Sequence, residues 1–444
     1  MPESSRRTSA GAPAAGRPPV ELELTLTALA YGGEALGRDT EGRVVFVPFA
    51  LPGERVQVQL LEQRRRWARA RLMQVLQPSP AREVPRCRHF AACGGCHYQH
   101  MPYADQLLAK QSILREQLQR LGKVVDPPVE PCIPAASPWN ARNQLLFHLD
   151  PAGRLGFIRH GQTQGEEPAG FVGRGQPGGG EPRVLAIQEC HLPEPALSDL
   201  WPRLQLEAIP GLERVGLRAG RDGQAMLILH GGGPPQVELD LDLPLSMVWL
   251  SPGGLEVLAG SPHLTFEVLG REFRVSAPSF FQVQTGLAGE LVRLVLEGLA
   301  VASGELAYDL YAGVGLFSAF LAAAGARLAA VEESPWACED FVHNLEAFEE
   351  VELYEATVEE ALAGLPGSPQ AVVVDPPRAG LAPAVIGRLI ELAPPRLVYV
   401  SCDPATLARD AAQLQAGGFR LERAVPVDLF PQTFHIEAVT HWRR

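Results

Sequence analysis

Apolar and polar positions follow three different rhythms along the chain. Between residues 20 and 77 they alternate in short runs, ELELTLTALA, GRVVFVPFA, ERVQVQLL and WARARLMQVL, separated by the glycine turns of YGGEALGRD and LPGE. Alternation with a period of two predicts half-buried strands, and short strands at even spacing predict a small closed barrel of the OB type. Residues 84–100 hold a cysteine cluster, and YADQLLAKQSILREQLQRLG after it has the spacing of a helix. From 125 to 265 the pattern is irregular and strand-rich, broken by Pro- and Gly-dense loops such as 166–182, so only an α+β class is expected there.

From about 275 onward strand and helix patterns alternate strictly. The unbroken runs in AVVVDPP and RLVYVSCDP predict strands covered on both faces, as in a doubly wound parallel sheet. The last two strands, around ERAVPVDLF and IEAVTHW, have no helix between them, so one is expected to run antiparallel at the sheet edge. The expected architecture is therefore multidomain: a disordered tail over 1–18, an OB-like barrel over 19–77, a central α+β domain over 78–265, and an α/β domain over 266–444.

Composition narrows the class. A chain of 444 residues is too long for one core, and 46% hydrophobic with 20% charged residues describes a globular protein. No stretch approaches the roughly 20 apolar residues of a membrane span, and the first residues lack the apolar region of a signal peptide. A cytoplasmic monomer without membrane attachment is the expectation. The net charge of −12 argues mildly against a nucleic-acid partner. RRRWARAR, residues 64–71, nevertheless packs five arginines around Trp67, either as an RNA-binding strip or as a charged strand edge. Seven cysteines without an export signal point away from a disulfide framework, toward metal binding or catalysis.

Ligands of a parallel sheet bind beyond the carboxyl ends of its strands, and the candidate chemistry gathers there. DLYAGVGLF (309–317) ends a strand at Gly313 and Gly315 without the G-x-G-x-x-G or Gly-Lys-Ser signatures of dinucleotide or phosphate sites. Glu332 ends the next strand, where an acid can take ribose hydroxyls, and Asp375 ends another. S-adenosylmethionine, an adenosine without phosphate, is the leading ligand. Cys402 precedes a helix start, which favours a thiolate; its alternative is a small buried apolar residue. Glu437 is either an outward-facing strand residue or a buried base. One thiolate and one base together suit methylation at C5 of uracil, in which the thiolate adds to C6, C5 takes the methyl group, and the base removes the C5 proton.

CRHFAACGGC sets Cys87, Cys93 and Cys96 close together beside glycines, with Cys190 in IQECHLP as a distant fourth. Four thiolates fit an iron–sulfur cluster or zinc, and His89, His97 and His191 keep zinc in contention. Cys132 and Cys338 are expected to be structural.

SFFQVQ (279–284), DLYAGVG, DPPRAGL, SCDP and FPQTFHIE in this order resemble the TrmA/RumA family of RNA uracil-5 methyltransferases, and YGGEALGR…GRVVFVPFALPGE is similar to a TRAM domain. The resemblance spans nearly the whole chain. It implies a Rossmann-like class I methyltransferase domain, Cys402 as nucleophile and Glu437 as base. It further implies Gln282, Tyr311, Glu332, Thr357 and Asp375 as contacts to S-adenosylmethionine, and Cys87, Cys93, Cys96 and Cys190 as ligands of a [4Fe-4S] cluster. Gln284 stands where the family motif usually ends in Asn. A TRAM barrel combined with a cluster resembles the branch acting on 23S ribosomal RNA. Transfer RNA is the alternative substrate. Other classes to weigh are a non-catalytic RNA-binding iron–sulfur protein and a nitrogen-directed methyltransferase, which would need no thiolate.

Overall fold

The computed structural model describes residues 20–161, 183–204, 209–233 and 245–444; the expected tail at 1–18 and the loop 166–182 lie outside these. The described chain forms two compact units that meet in sequence at Arg82 and Glu83. In the first, β1 (Glu21–Leu29), β2 (Glu34–Arg38), β3 (Val44–Pro48), β4 (Arg55–Gln63) and β5 (Trp67–Gln77) close into a barrel in the order β1-β2-β3-β5-β4. The pairing of β3 with β5 is parallel and the others are antiparallel. The period of two behaves as expected: Leu24, Leu26, Val45, Val47, Val56, Val58, Ala68 and Ala70 fill the interior. Alternating with the inward alanines, Arg69 and Arg71 face out, and the Arg69 guanidinium lies 5.8 Å from the Trp67 ring centre.

One buried carboxylate locks this barrel. Glu54 is fully buried, and its oxygens accept hydrogen bonds from Leu51 N (2.9 Å), Ser79 N (3.2 Å) and Arg82 Nε (2.6 Å) and Nη2 (2.9 Å). Burial alone would push Glu54 up, but Arg82 and the two amides outweigh it and hold the carboxyl below its ordinary value. Arg82→Ala leaves that charge buried and unpaired, so unfolding in urea should show a loss of about 3 kcal/mol. Because the folded value is lowered, the pair's contribution is present above the ordinary glutamate range and is lost as pH falls through the lowered value.

In the second unit, the region that the sequence left as merely α+β is one sheet. After α1 (Tyr103–Arg120) come β6 (Gln144–Leu149), β7 (Leu155–Ile158), β8 (Val184–Ala186), α2 (Pro195–Leu200), β9 (Leu212–Ala219), β10 (Ala225–Gly231), β11 (Ser246–Ser251) and β12 (Gly254–Ala259). The sheet order is β12-β11-β10-β9-β6-β7-β8, antiparallel except between β10 and β11. A hairpin, β13 (His263–Val268) and β14 (Arg271–Ser276), leads into the α/β part.

That part alternates α3 (Thr285–Leu299), β15 (Leu306–Leu310), α4 (Leu316–Ala323), β16 (Arg327–Glu332), α5 (Pro335–Asn344), β17 (Val351–Glu355), α6 (Val358–Ala361), β18 (Ala371–Val374), α7 (Pro383–Leu392), β19 (Arg396–Ser401), α8 (Pro404–Ala416), β20 (Arg420–Val427) and β21 (Glu437–Arg443). The strands lie in the order β17-β16-β15-β18-β19-β21-β20. The expected antiparallel strand exists, but it is not at the edge: β21 inserts between β19 and β20, antiparallel to both. Ala438, Val439, Thr440 and Trp442 are buried and suit an interior strand, whereas β20 begins with Arg420 and Glu422 and tolerates an edge. The outer side of β20 is in turn covered by the chain at 128–133, through bridges Val129 to Ala424 and Ile133 to Val427. Helix α1 packs on α8, and Leu114 and Leu118 join the apolar cluster of Leu407, Ala411 and Leu414. Among the described residues no helix is long and apolar enough to cross a membrane.

Candidate active site and cysteine cavity

The carboxyl ends of β15, β16, β18 and β19 lie side by side, and the candidate residues leave the sheet there. After β15 the backbone enters the left-handed region at Tyr311 (φ 68°), Gly313 (56°) and Gly315 (88°). A Cβ at Gly315 would meet Leu345 at 2.4 Å, so this glycine lets α4 pack; a Cβ at Gly313 would meet nothing within 4 Å, so open space lies beside that turn. A non-glycine residue such as Tyr311 in this region is strained, a cost of order 1 kcal/mol that is found mostly at functional sites. Glu332 braces the turn: Gly313 N donates to its Oε2 and Ser334 N to its Oε1, both at 2.8 Å. Each oxygen keeps further accepting capacity.

Asp309, which the sequence did not single out, belongs to this group. It is fully buried, accepts from Ser318 Oγ at 2.6 Å through Oδ2, and has no partner on Oδ1. Burial pushes its carboxyl up to about 6. Asp375 follows β18, its N–H donating to Leu310 O at 3.3 Å, and burial followed by the charge of Asp309 pushes it up to about 7.

Cys402 and Glu437 come together through strand register. β19 and β21 pair Ser401 with Ala438, and extending the ladder by one residue sets Cys402 opposite Glu437. Glu437 is 4% exposed, so it faces inward; burial, then the charge of Asp375, raises its carboxyl well above the ordinary value, with Arg378 opposing. The surroundings of Cys402 work against the thiolate expected from its position. Burial, then Glu437 and Asp375, push the thiol up to about 12, with only Arg378 pulling down. The helix start cannot help, because Asp403 already caps α8: its Oδ1 accepts from Ala405 N (2.8 Å) and Thr406 N (3.0 Å).

Gln282 and Thr357 have other attachments. Gln282 is buried on the segment before α3, its carbonyl accepting from Asn143 Nδ2 at 2.8 Å. Thr357 follows β17 and caps α6 by accepting from Glu360 N at 3.3 Å. Of two residues that sequence reasoning passed over, Arg378 acts on this centre and His435 lies within reach of Arg378. Both sat inside quoted motifs, DPPRAGL and FPQTFHIE, but nothing local distinguished them. Burial, then Arg378, lowers His435.

Cys87, Cys93, Cys96 and Cys190 line one cavity of about 620 Å³, with Arg142 and His89 among its other walls. Its local geometry comes from backbone donors: His89 N points to Cys87 Sγ and Gly95 N to Cys93 Sγ, each at 3.4 Å, and Gly94 N donates to Ile158 O at 2.9 Å. Burial pushes the thiols of Cys93 and Cys96 up to about 11 and about 12. Among the described residues no three His, Cys, Asp or Glu side chains stand close enough to hold one metal ion. Nor are the histidines placed as a zinc set: His89 Nε2 accepts from Gln188 N at 3.0 Å, His97 stacks edge-on against Phe434 at 4.6 Å, and His191 lies edge-on to Trp139. Cys132 and Cys338 are buried away from this cavity, in keeping with structural roles.

Residues 368–444 match the tRNA (Uracil-5-)-methyltransferase family, and residues 20–73 match the TRAM domain. An uncharacterized RNA methyltransferase of Thermosynechococcus vestitus is 32% identical, over 94% of this chain and 97% of its own. One from Streptomyces coelicolor is 34% identical, over 94% and 92%. In fold, the chain is similar to the Pyrococcus abyssi tRNA (uracil-54, C5)-methyltransferase solved with S-adenosyl-L-homocysteine, with a TM-score of 0.70, 23% identity, and coverage of 95% of this chain and 100% of that one.

Proposed function

The chain belongs to the TrmA/RumA family of RNA methyltransferases, and from that premise we propose that it methylates C5 of a uridine in 23S ribosomal RNA through a covalent bond from Cys402 to C6. The observation that carries this reading is the register that sets Cys402 opposite the buried Glu437, with Asp375 beside them. S-adenosylmethionine supplies the methyl group. The open turn at Gly313, the unpartnered Asp309 Oδ1 and the raised Asp375 fit an adenosine-bearing cation. Tyr311, Glu332 and Asp375 border that space, with Gln282 and Thr357 as further contacts.

The residues then act in order. Cys402 gives up its proton to solvent and its sulfur bonds to C6 as the C5–C6 π pair shifts onto C5 and O4, an enolate with electron density on C5. After C5 has taken the methyl group, Glu437 accepts the C5 proton, and the electron pair of that C–H bond restores the C5–C6 double bond as the Cys402 sulfur leaves. A carboxylate with a raised proton affinity suits this task. With burial and two carboxylates raising the proton affinity of Cys402, positive charge near the sulfur, from Arg378 or a bound sulfonium, favours its ionisation. Closing the site over a flipped nucleotide supplies the base.

This electrostatic arrangement has a measurable sign. Asp375, pushed up to about 7, is mostly neutral at pH 6 and ionised at pH 8, and a sulfonium cation favours the ionised form. Affinity for S-adenosylmethionine relative to the uncharged S-adenosylhomocysteine should rise about five- to tenfold between pH 6 and pH 8. Calorimetric titration at both pH values reads this ratio; a flat ratio removes Asp375 from the donor site.

Four thiols lining one cavity support a [4Fe-4S] cluster on Cys87, Cys93, Cys96 and Cys190. A multi-iron cluster takes one thiolate on each iron and spaces its ligands more widely than a single tetrahedral zinc ion. Anaerobically purified protein should hold about four iron and four sulfide per chain, and Cys190→Ser should lose them; zinc in stoichiometric amount would overturn the assignment.

The outward arginines of the barrel, with its TRAM match, support RNA as the partner. A second substrate, transfer RNA uridine, is favoured by the Pyrococcus abyssi structure, which is named for that activity. Methyl transfer to unmodified 23S ribosomal RNA and to tRNA, followed by digestion and nucleoside mass spectrometry, decides between them. 5-Methyluridine in 23S alone supports the first reading, in tRNA alone the second, and in neither the non-catalytic or nitrogen-methylating classes.

A further inference from the structure

The loop from Asp428 to His435, which delivers Glu437 to the active site, has a short turn of its own, with Thr433 Oγ1 donating to Phe430 O at 2.8 Å, and Asp428 N donates to Ile133 O at 2.9 Å. Its middle is held by the cysteine segment and α1. Gln432 is the central point: a buried non-glycine residue held at φ 66°. Its carbonyl accepts from His97 N (2.8 Å) and Tyr98 N (3.0 Å), the two residues directly after Cys96. Its side chain and backbone are matched by Gln106 on α1, which donates from Nε2 to Gln432 Oε1 and accepts Gln432 N on Oε1, both at 3.0 Å. The same Gln106 Nε2 donates to Met101 O at 3.0 Å and Tyr98 O at 3.3 Å, tying the cysteine segment to the helix. Further along the loop, the fully buried Lys110 donates to Asp428 Oδ1 (2.5 Å) and Phe430 O (2.9 Å), and the His97 ring stacks on Phe434. Gln284 holds Leu429 O at 2.7 Å.

A left-handed Gln is costly unless its surroundings over-determine it, and here the hydrogen bonds on Gln432 come from His97, Tyr98 and Gln106. We infer that Gln106 and the backbone of His97 and Tyr98 are positioning groups for Glu437, so that the metal-binding cysteine segment is built into the proton-removal step. The inference rests on the proposed uridine chemistry. It goes beyond it by assigning the cysteine site a mechanical part: when Cys96 is anchored, His97 and Tyr98 hold Gln432, and Glu437 starts β21 in register with Cys402. When Cys96 is released, the loop loses its support while the cofactor turn at 311–315 and the Cys402 turn keep theirs.

Removal of the C5 proton is the last chemical step, so a mispositioned Glu437 leaves the enzyme bonded to methylated RNA. Gln106→Leu removes all four side-chain bonds without adding charge. In the full-length, metal-loaded protein the denaturant-stable enzyme–RNA adduct should accumulate, and release of 5-methyluridine RNA should slow by roughly 10- to 100-fold. Adduct formation and S-adenosylhomocysteine binding should stay near wild type. Gln106→Glu, which retains the acceptor for Gln432 N, should recover part of the release rate. Equal losses in adduct formation and release would make Gln106 merely structural and overturn the inference. Absence of any adduct in the wild-type protein would instead overturn the underlying chemistry. Independently of any variant, amide hydrogen exchange on the wild-type protein with its metal intact and after chelation should show faster exchange at residues 97–98 and 428–435, but not at 311–315. Unchanged exchange across 428–435 would refute the coupling.

Discussion

Cys402→Ala is expected to lower uridine methylation by about 10⁴-fold or more, the scale of losing a covalent nucleophile, and to abolish the enzyme–RNA adduct. C5 of uracil is too weak a nucleophile to take a methyl group without a thiolate on C6, so no remaining group can substitute. Binding should persist, because neither the arginine strip on the barrel nor the turn at Gly313 depends on the thiol. Calorimetry with S-adenosylhomocysteine and RNA retention on a filter would check this. Stability should change little, since Cys402 is only partly buried and forms none of the bonds that cap α8. A Cys402→Ala protein that still makes 5-methyluridine at more than about a hundredth of the wild-type rate would remove the covalent mechanism.

Glu437→Gln is expected to divide the reaction rather than end it. The amide retains the shape of the first residue of β21 but cannot accept the C5 proton. Overall turnover should fall by about 10²- to 10⁴-fold, the usual worth of a general base. Methyl transfer into the adduct should survive, so denaturing gels should show RNA-linked protein carrying one labelled methyl group. Removing one buried carboxylate also relieves the thiol, because the Glu437 charge is the largest of those raising Cys402. The rate of thiol alkylation at pH 8 should therefore increase in Glu437→Gln relative to wild type. A variant that fails at adduct formation while its alkylation rate is unchanged would assign the proton-removing role elsewhere.

These two variants separate what local sequence carries from what folding adds. The barrel was legible because its inward residues, Leu24 and Leu26 on one strand and Val56 and Val58 on another, alternate with polar ones at the period of a strand. The parallel sheet was legible because strands such as Ala371–Val374 are buried on both faces and so are uniformly apolar. The central sheet was not: its order, with β9 beside β6, depends on pairings distant in sequence. The place of β21 escaped for a related reason. No local pattern says whether a final strand lies at an edge or inserts, whereas burial on both faces decides it.

By itself, the sequence determined which residue types end which strands, and hence that Asp375, Cys402 and Glu437 had to be considered together, because strand and turn signals depend on neighbouring residues alone. Only the tertiary structure decided that Glu437 faces inward opposite Cys402, that Asp309 joins Asp375 as a second buried carboxyl, and that burial and neighbouring carboxylates raise the proton affinity of the thiol. Proton affinity depends on desolvation and on charges contributed by other strands. The grip of Gln106 and Lys110 on the loop before Glu437 joins positions more than three hundred residues apart, a contact that no local periodicity encodes.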